Sequence, residues 1–317
     1  MDGNSIGPSV QTAAAGAENV VMTESDSEQQ ENTQTQSVQL LDLPWEDVLF
    51  RQVFTCFTLP ELFKLRAVNT LCHKCVSEFF TCCPVVNLVR ISNIITAQAF
   101  GTATYNNYGL KVLVTRQSKG WLTDSVLVPA LDVANRLLKL DLTGCTSISN
   151  ASIQKVAISC PQLEEVSLRD CHWLSKEGVI VLAMNCHQLQ RVDITACWEV
   201  DDESIIILTT FCPNLIYLSI AKIYGLTDRS ILQLAKNCSK LRHLNMQGCW
   251  RVTDDAVKML GEYCRSLKGL QVRECREVTE ASLAKLRQRN IKVDIPQHPW
   301  QLSASAASYL NQLKLQI

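Results

Sequence analysis

The first 37 residues contain no lysine, arginine, phenylalanine, tryptophan or tyrosine, and the first basic residue of the chain is Arg51. A secretory signal needs a basic start and an apolar stretch of about 7–15 residues, so none is expected here. A segment with six acidic residues and no aromatics cannot bury enough apolar surface to offset its ordering entropy, and residues 1–37 are expected to be a disordered acidic tail. No apolar run approaches the roughly 20 residues of a membrane span, so no membrane partner is expected. Charge of one sign is also missing: 30 Lys and Arg stand against 31 Asp and Glu. That balance argues against a protein that coats nucleic acid through bulk charge, although the chain without its acidic start is mildly basic. There is no glycine-rich phosphate loop, no G-x-S-x-G and no H-E-x-x-H, which leaves nucleotide, serine-hydrolase and zinc-protease chemistry without support.

What the chain has is cysteine, 15 residues in 317. Without an export signal these are expected to stay reduced, so they are metal ligands, reactive thiols or small core residues. Their spacing decides among these. Cys145, Cys171, Cys197, Cys249 and Cys275 lie on a 26-residue ruler, with Ile223 in the missing place. Cys160, Cys186, Cys212, Cys238 and Cys264 form a second series with the same step. Self-similarity at this period means a solenoid, and Leu163-x-x-Val166-x-Leu168-x-x-Cys171 has the leucine-rich-repeat form L-x-x-L-x-L-x-x-C. Its alternating centre is a short strand with one buried face.

Each strand is followed by a helix start. Ser149, Ser175, Asp201, Thr227, Thr253 and Thr279 are N-cap residues at equivalent positions. The next position is Asn150, Lys176, Asp202, Asp228, Asp254 and Glu280, mostly acidic, as a helix N-terminus prefers. An apolar stripe such as Ile231, Leu234, Ala235 and Cys238 then makes the second cysteine series the last apolar rung of each helix. Leu122, Ile148, Leu174, Val200, Leu226, Val252 and Val278 extend the count to seven repeats. The first repeat is degenerate, with its strand near 110–116 one residue out of register and Lys119 in the cysteine position. The last helix carries Arg287 and Asn290 where apolar residues belong, as a terminal repeat with no neighbour should. Residues 291–295 (IKVDI) offer one more closing strand. The fold expected is an α/β leucine-rich-repeat solenoid over 110–295, strands inside and helices outside. A linker and N-terminal cap would occupy 84–109, and a C-terminal tail 296–317.

Residues 40–83 differ in composition: Leu, Val and Phe recur at helical spacings, with Pro44 and Pro60 suited to helix starts. Two or three short helices are expected. The run Leu43-Pro44-Trp45-Glu46-Asp47-Val48-Leu49, then Val53-Phe54, Leu62 and Val68, resembles an F-box, a helical hook that docks on a Skp-type adaptor. The late Trp that usually follows Val-Cys is absent here, where Val68-Asn69-Thr70-Leu71-Cys72 stands. An F-box ahead of cysteine-containing repeats is similar to the layout of the F-box/leucine-rich-repeat proteins. LDLPWEDVL at 41–49, LDLTGC at 140–145 and VTEASLAKLR at 278–287 add to the likeness, which covers about 40–295. The resemblance implies a non-enzymatic substrate receptor of an SCF-type cullin–RING ubiquitin ligase, needing no cofactor and placed in the cytoplasm and also the nucleus. Its partners would be the adaptor, through it the cullin and RING subunits, and a target protein. Leu43, Pro44, Val48, Leu49, Val53, Phe54, Leu62 and Val68 would be adaptor contacts or the core of the motif.

In a solenoid the strand residues flanking the buried leucines face the concave surface. Three columns at the repeat period run from Lys139, Asp141 and Thr143, and include Arg169, Arg191, Tyr217, His243 and Arg273. Just past the cysteine position stand Trp198, Tyr224 and Trp250, with His172 one repeat earlier. Exposed aromatics of this kind serve as interface anchors, and the plainer alternative is that they stack on each other and stiffen the loops. Cys72, Cys75, Cys82 and Cys83, with His73, raise a zinc reading, but zinc sites usually need a second matched pair, and positions 72 and 75 share a helix face. The rival to a ligase receptor is a leucine-rich-repeat scaffold or inhibitor without a ubiquitin role. Adaptor binding by residues 40–83 discriminates the two.

Overall fold

A computed structural model describes residues 40–118 and 120–294. The acidic tail at 1–37, the tail at 296–317, and Lys119 and Ile295 lie outside the described residues.

Residues 45–53 wind as a wide π-type helix, in which the Leu49 and Phe54 N–H groups reach carbonyls five residues back, on Pro44 and Leu49. Two α-helices follow, α1 (Leu59–Arg66) and α2 (Thr70–Cys82). Glu61 turns back to accept from the Thr58 N–H at 2.7 Å, and Asn69 Oδ1 accepts from Cys72 N at 2.7 Å, so both helix starts are capped by their own side chains. Leu49, Phe50, Phe54, Leu62, Cys75, Val76, Phe79 and Phe80 form the core of this block. The α2 helix is regular despite lacking the late Trp. Asn107 Nδ2 donates to the Cys83 carbonyl at 2.8 Å and Tyr108 N to the Thr81 carbonyl at 2.9 Å, fastening the block to the first repeat.

The solenoid alternates strand and helix: β1 (Val85–Asn87), α3 (Ala97–Thr104), β2 (Val112–Val114), α4 (Asp124–Val133), β3 (Lys139–Asp141), α5 (Asn150–Ser159), β4 (Glu165–Ser167) and α6 (Lys176–Asn185). It continues with β5 (Arg191–Asp193), α7 (Asp202–Phe211), β6 (Tyr217–Ser219), α8 (Asp228–Asn237), β7 (His243–Asn245), α9 (Asp254–Tyr263), β8 (Gly269–Gln271), α10 (Glu280–Gln288) and β9 (Lys292–Val293). The strands form one parallel sheet in sequence order. The central strand residues, Leu140, Val166, Val192, Leu218 and Leu244, point into the core shared with the helices. Parallel strands joined by crossovers of one hand place all the helices on that one face.

Three expectations are corrected. The segment 84–109, expected as a linker and N-terminal cap, is no loose linker: β1 and α3 supply the first strand of the sheet and the first helix of the stack. Lys119 is not the counterpart of the rung cysteine, because the first two repeats are 27 residues long: Val85 pairs with Val112 and Val112 with Lys139. The extra residue lies in the turn after the rung, where Ser118 to Leu122 is one longer than Cys145 to Ile148. Ser118 is the buried counterpart, its N–H bonded to the carbonyl three residues back as in Cys145. The closing strand is shorter than 291–295, pairing only Lys292 and Val293 with β8.

The cysteines act as weak hydrogen-bond donors as well as filler. Cys171, Cys197, Cys249 and Cys275 each donate to the carbonyl 29 residues earlier, on Leu142, Leu168, Ile220 and Met246, at 3.0–3.3 Å. At the helix ends, Cys186 and Cys212 donate to Cys160 and Cys186 carbonyls at 3.4 and 3.5 Å. Burial pushes the thiols of Cys160, Cys186, Cys212, Cys238 and Cys249 up to about 12, so they stay protonated as donors.

A second set of links runs along the helix starts. The Asp202, Asp228 and Asp254 carboxylates each take the backbone N–H and the hydroxyl of the next repeat's N-cap, Thr227, Thr253 and Thr279, at 2.5–2.9 Å. Asp124 does the same with Ser149, and Asn150 accepts from Ser175 N at 3.3 Å while its Nδ2 donates to Ser175 Oγ at 3.0 Å. The acidic column therefore serves the neighbouring repeat's helix as well as its own.

The residue before each rung is left-handed, at φ 58–64° for Asp170, Ala196, Lys222 and Glu274 and at 74° for Gly248. That turn aims its N–H at the next repeat, as in Gly248 N to Arg273 O at 2.8 Å.

Candidate protein-docking surfaces

The F-box-like residues divide by burial. Leu49, Phe54 and Leu62 are buried and hold the block together. Leu43, Val48 and Val53 are half-buried, Pro44 is exposed, and Val68 is 67% exposed at the start of α2. Leu40 and Leu71 join them as exposed apolar side chains that the motif comparison did not single out; the signal for Leu71 was its place three residues beyond Val68. Trp45, packed on the block's core, has Lys74 Nζ 5.9 Å from its ring centroid. The block thus carries apolar groups on its outside that its own core does not use, the chemistry of a helical hook that meets a groove.

Cys72 and Cys75 both face inward from α2, while His73 and Lys74 face out. Burial, then Glu78, pushes the Cys75 thiol up to about 11. Among the described residues no three His, Cys, Asp or Glu side chains converge on a metal-sized site.

The target-side residues fall into two groups. Trp198, Tyr224 and Trp250 occupy one position in three successive repeats and are 55%, 49% and 46% exposed. The exposed His172 ring stacks on Trp198 at 4.1 Å and 15°, and its Nδ1 meets the Ala196 carbonyl at 3.0 Å. Stacking of the plainer kind is thus present between His172 and Trp198. Among the described residues, no ring contact engages Tyr224 or Trp250.

The strand-face group is committed internally. Arg169 grips the buried Asp193 carboxylate through Nε at 3.1 Å and Nη2 at 3.0 Å, and Thr195 Oγ1 donates to the other oxygen at 2.7 Å. Arg116 and Thr143 repeat this arrangement on Asp141 at 2.6 Å each. The Arg191 guanidinium lies 4.9 Å from the Tyr217 ring centroid, over its face. His243 has its pKa lowered by burial first and then by Arg191, Lys268 and Arg242, which favours the neutral ring. Arg273 is exposed. These side chains form an ordered polar surface across β3 to β8, with alternating charge.

Residues 237–261 match the family profile described as Leucine Rich repeat. F-box/LRR-repeat protein 15 of Rattus norvegicus is 34% identical over 125 residues, 39% of this chain and 42% of that protein. The protein of the same name from Mus musculus is 34% identical over 124 residues, 39% of this chain and 41% of its own length. The match therefore spans about two fifths of the length of these relatives. In three dimensions the chain is similar to a structure from the yeast Rad7 and Elc1 complex, with TM-score 0.50 and 18% identity, over 66% of this chain and 62% of that one. That likeness is one of fold. With its cysteine-rung repeats behind a short helical block, the chain is thus similar, over part of its length, to F-box/LRR-repeat proteins, and one of its repeats matches the Leucine Rich repeat profile.

Proposed function

We propose that this chain is the substrate-recognition subunit of an SCF-type cullin–RING ubiquitin ligase. The helical block 40–83 docks the Skp-type adaptor, and through it the cullin and RING subunits. The repeats hold a target protein for ubiquitination and proteasomal degradation, in the cytoplasm and nucleus. Ubiquitin transfer then belongs to other subunits, and this chain contributes binding alone.

The observation that carries the reading is the outside of the block. Pro44, Val68, Leu71 and Leu40 are exposed apolar side chains around a core of Leu49, Phe54 and Leu62 that is complete without them. Apolar anchors on a rigid helical platform are what a groove-shaped partner requires. The family's printed name, F-box/LRR-repeat, supports the same reading, as does a fold neighbour solved in complex with Elc1. The buried, high-pKa thiols add support, since a protonated thiol is a poor nucleophile.

Affinity capture of the full chain from cells tests it. Adaptor, cullin and RING subunits should co-purify, and Leu43→Ala with Pro44→Ala should remove all three together while the repeats stay folded. A folded chain that captures no adaptor belongs to the scaffold reading.

A further inference from the structure

The joint between the helical block and the first strand of the sheet holds an apolar cavity of about 270 Å³. Its floor is Phe54, Leu62 and Phe79 of the block and Val86 of β1, all buried. Leu59 and Pro60, at the start of α1, and Ile91, past β1, complete its walls. Thr58, Val89 and Arg90 are exposed and mark its mouth. The core of the block and the core of the repeats meet here, and Leu59 packs on both. Protein interiors pack as densely as organic crystals and leave few voids larger than a water molecule. An apolar space of roughly 150 Å³ already takes up a benzene-sized molecule, and this one is larger and open at one side.

The polar groups around the cavity are mostly committed within the chain. The Thr55 hydroxyl donates to the Arg51 carbonyl at 3.1 Å, the Thr58 hydroxyl to Glu61 at 2.8 Å, and the Cys83 thiol to the Val85 carbonyl at 3.3 Å. Arg90 is the one charged side chain among the described lining residues, and no described carboxylate forms an ion pair with it. The geometry points to a binding site for a small amphipathic carboxylate, with its apolar tail in the cavity and its carboxylate on Arg90. A guanidinium matches a carboxylate through two parallel hydrogen bonds and balances its single charge. A phosphate would bring a second charge with no second cation in the wall to meet it, and an ammonium head would be repelled. A cavity lined by apolar side chains with one placed polar group is the ordinary form of a small-molecule site. The occupant touches both the block and β1, so it ties the block to the solenoid. The inference is independent of the ubiquitin reading.

The test uses the full chain and decanoate. Calorimetry should show one saturable site, with decylammonium binding at least tenfold more weakly. Arg90→Glu should weaken decanoate binding at least tenfold, and Val89→Trp, which plugs the mouth, should do the same. Both side chains are exposed, so both variants should fold as the parent does, which circular dichroism checks. With decanoate bound, amide hydrogen exchange should slow in residues 54–62 and 83–91 and stay unchanged from β3 onward. Absence of saturable binding overturns the proposal. So do decylammonium that binds as tightly as decanoate, either folded variant binding decanoate as tightly as the parent, and protection that falls elsewhere in the chain.

Discussion

The carboxylate of Asp228, in the first turn of α8, takes the backbone N–H of Thr253 at 2.7 Å and its hydroxyl at 2.5 Å, one full repeat further along the chain. Thr253 in turn accepts from Asp255 N and starts α9. One side chain therefore fixes the start of the next helix and the spacing between two repeats. Asp228→Ala should destabilise the chain by about 2–3 kcal/mol, the range for losing hydrogen bonds to a charged group. Asp228→Asn should cost less, since Asn150 bridges to Ser175 by accepting its N–H and donating to its hydroxyl. Urea unfolding of the two variants checks the order.

Two carboxylates that reach across repeats, Asp254 and Asp124, also set an acid limit. The Asp254 pKa is lowered by hydrogen bonds from Ser282 and Thr279; at Asp124, burial raises it but bonds from Ser152 and Ser149 outweigh that. A carboxylate with a depressed folded pKa gives stability that is fully present above its unfolded value, 3.8 for these groups, and is lost as pH falls through the lower folded value. Thermal midpoints should hold steady from neutral pH down to about 5 and then fall. In a variant with Asp124→Asn and Asp254→Asn the acid-side drop should be shallower.

The thiols impose the opposite limit. Their folded pKa lies above the free thiol's 9.0, at about 12 for Cys160, Cys186 and Cys238, so their contribution is intact below 9 and is lost as pH rises toward 12. At neutral pH, iodoacetamide should modify exposed Cys56 readily, Cys82 more slowly because partial burial, then Glu46 and Glu78, raise its pKa, and leave the ten rung cysteines untouched until the chain unfolds. Mass spectrometry of native and urea-treated protein reads this directly.

The repeat was legible wherever its chemistry was regular. Cysteine at two fixed places and a hydroxyl or carboxylate cap gave the period, the strand and the helix start from Cys145 to Thr279. It was hidden at the start because the first two repeats are one residue longer, and because Ile91, Ser118 and Asn107 stand where later repeats have cysteine. A strand as short as Val85–Asn87 has too few residues to show alternation unaided. The reach of Asp228 to Thr253 was not legible either: an acidic residue after a cap already has a local explanation in the helix dipole, so nothing in the pattern demands a second partner. In the helical block, the sequence marked eight residues of interest but could not separate Leu49, a core residue, from Val68, an exposed one. That division depends on how α1 and α2 pack.

The aromatic rim gives a prediction about targets. Trp198→Ala with Trp250→Ala should weaken target capture by at least about 2 kcal/mol, the size of an interface hot spot, while leaving adaptor capture unchanged. Because His172 already stacks on Trp198, Trp250→Ala alone should account for the larger share. Quantitative affinity capture with single and double variants checks both statements.

The most direct measurement is a calorimetric titration of the purified full chain with a purified Skp-type adaptor. A saturable 1:1 complex is expected, and Pro44→Ala with Val68→Asp should weaken it by at least about tenfold, or 1.4 kcal/mol, with an unchanged thermal midpoint. Both side chains are exposed, so the variant tests docking and not folding. A folded parent chain that binds no adaptor, or a variant that binds it as tightly as the parent, would contradict the account.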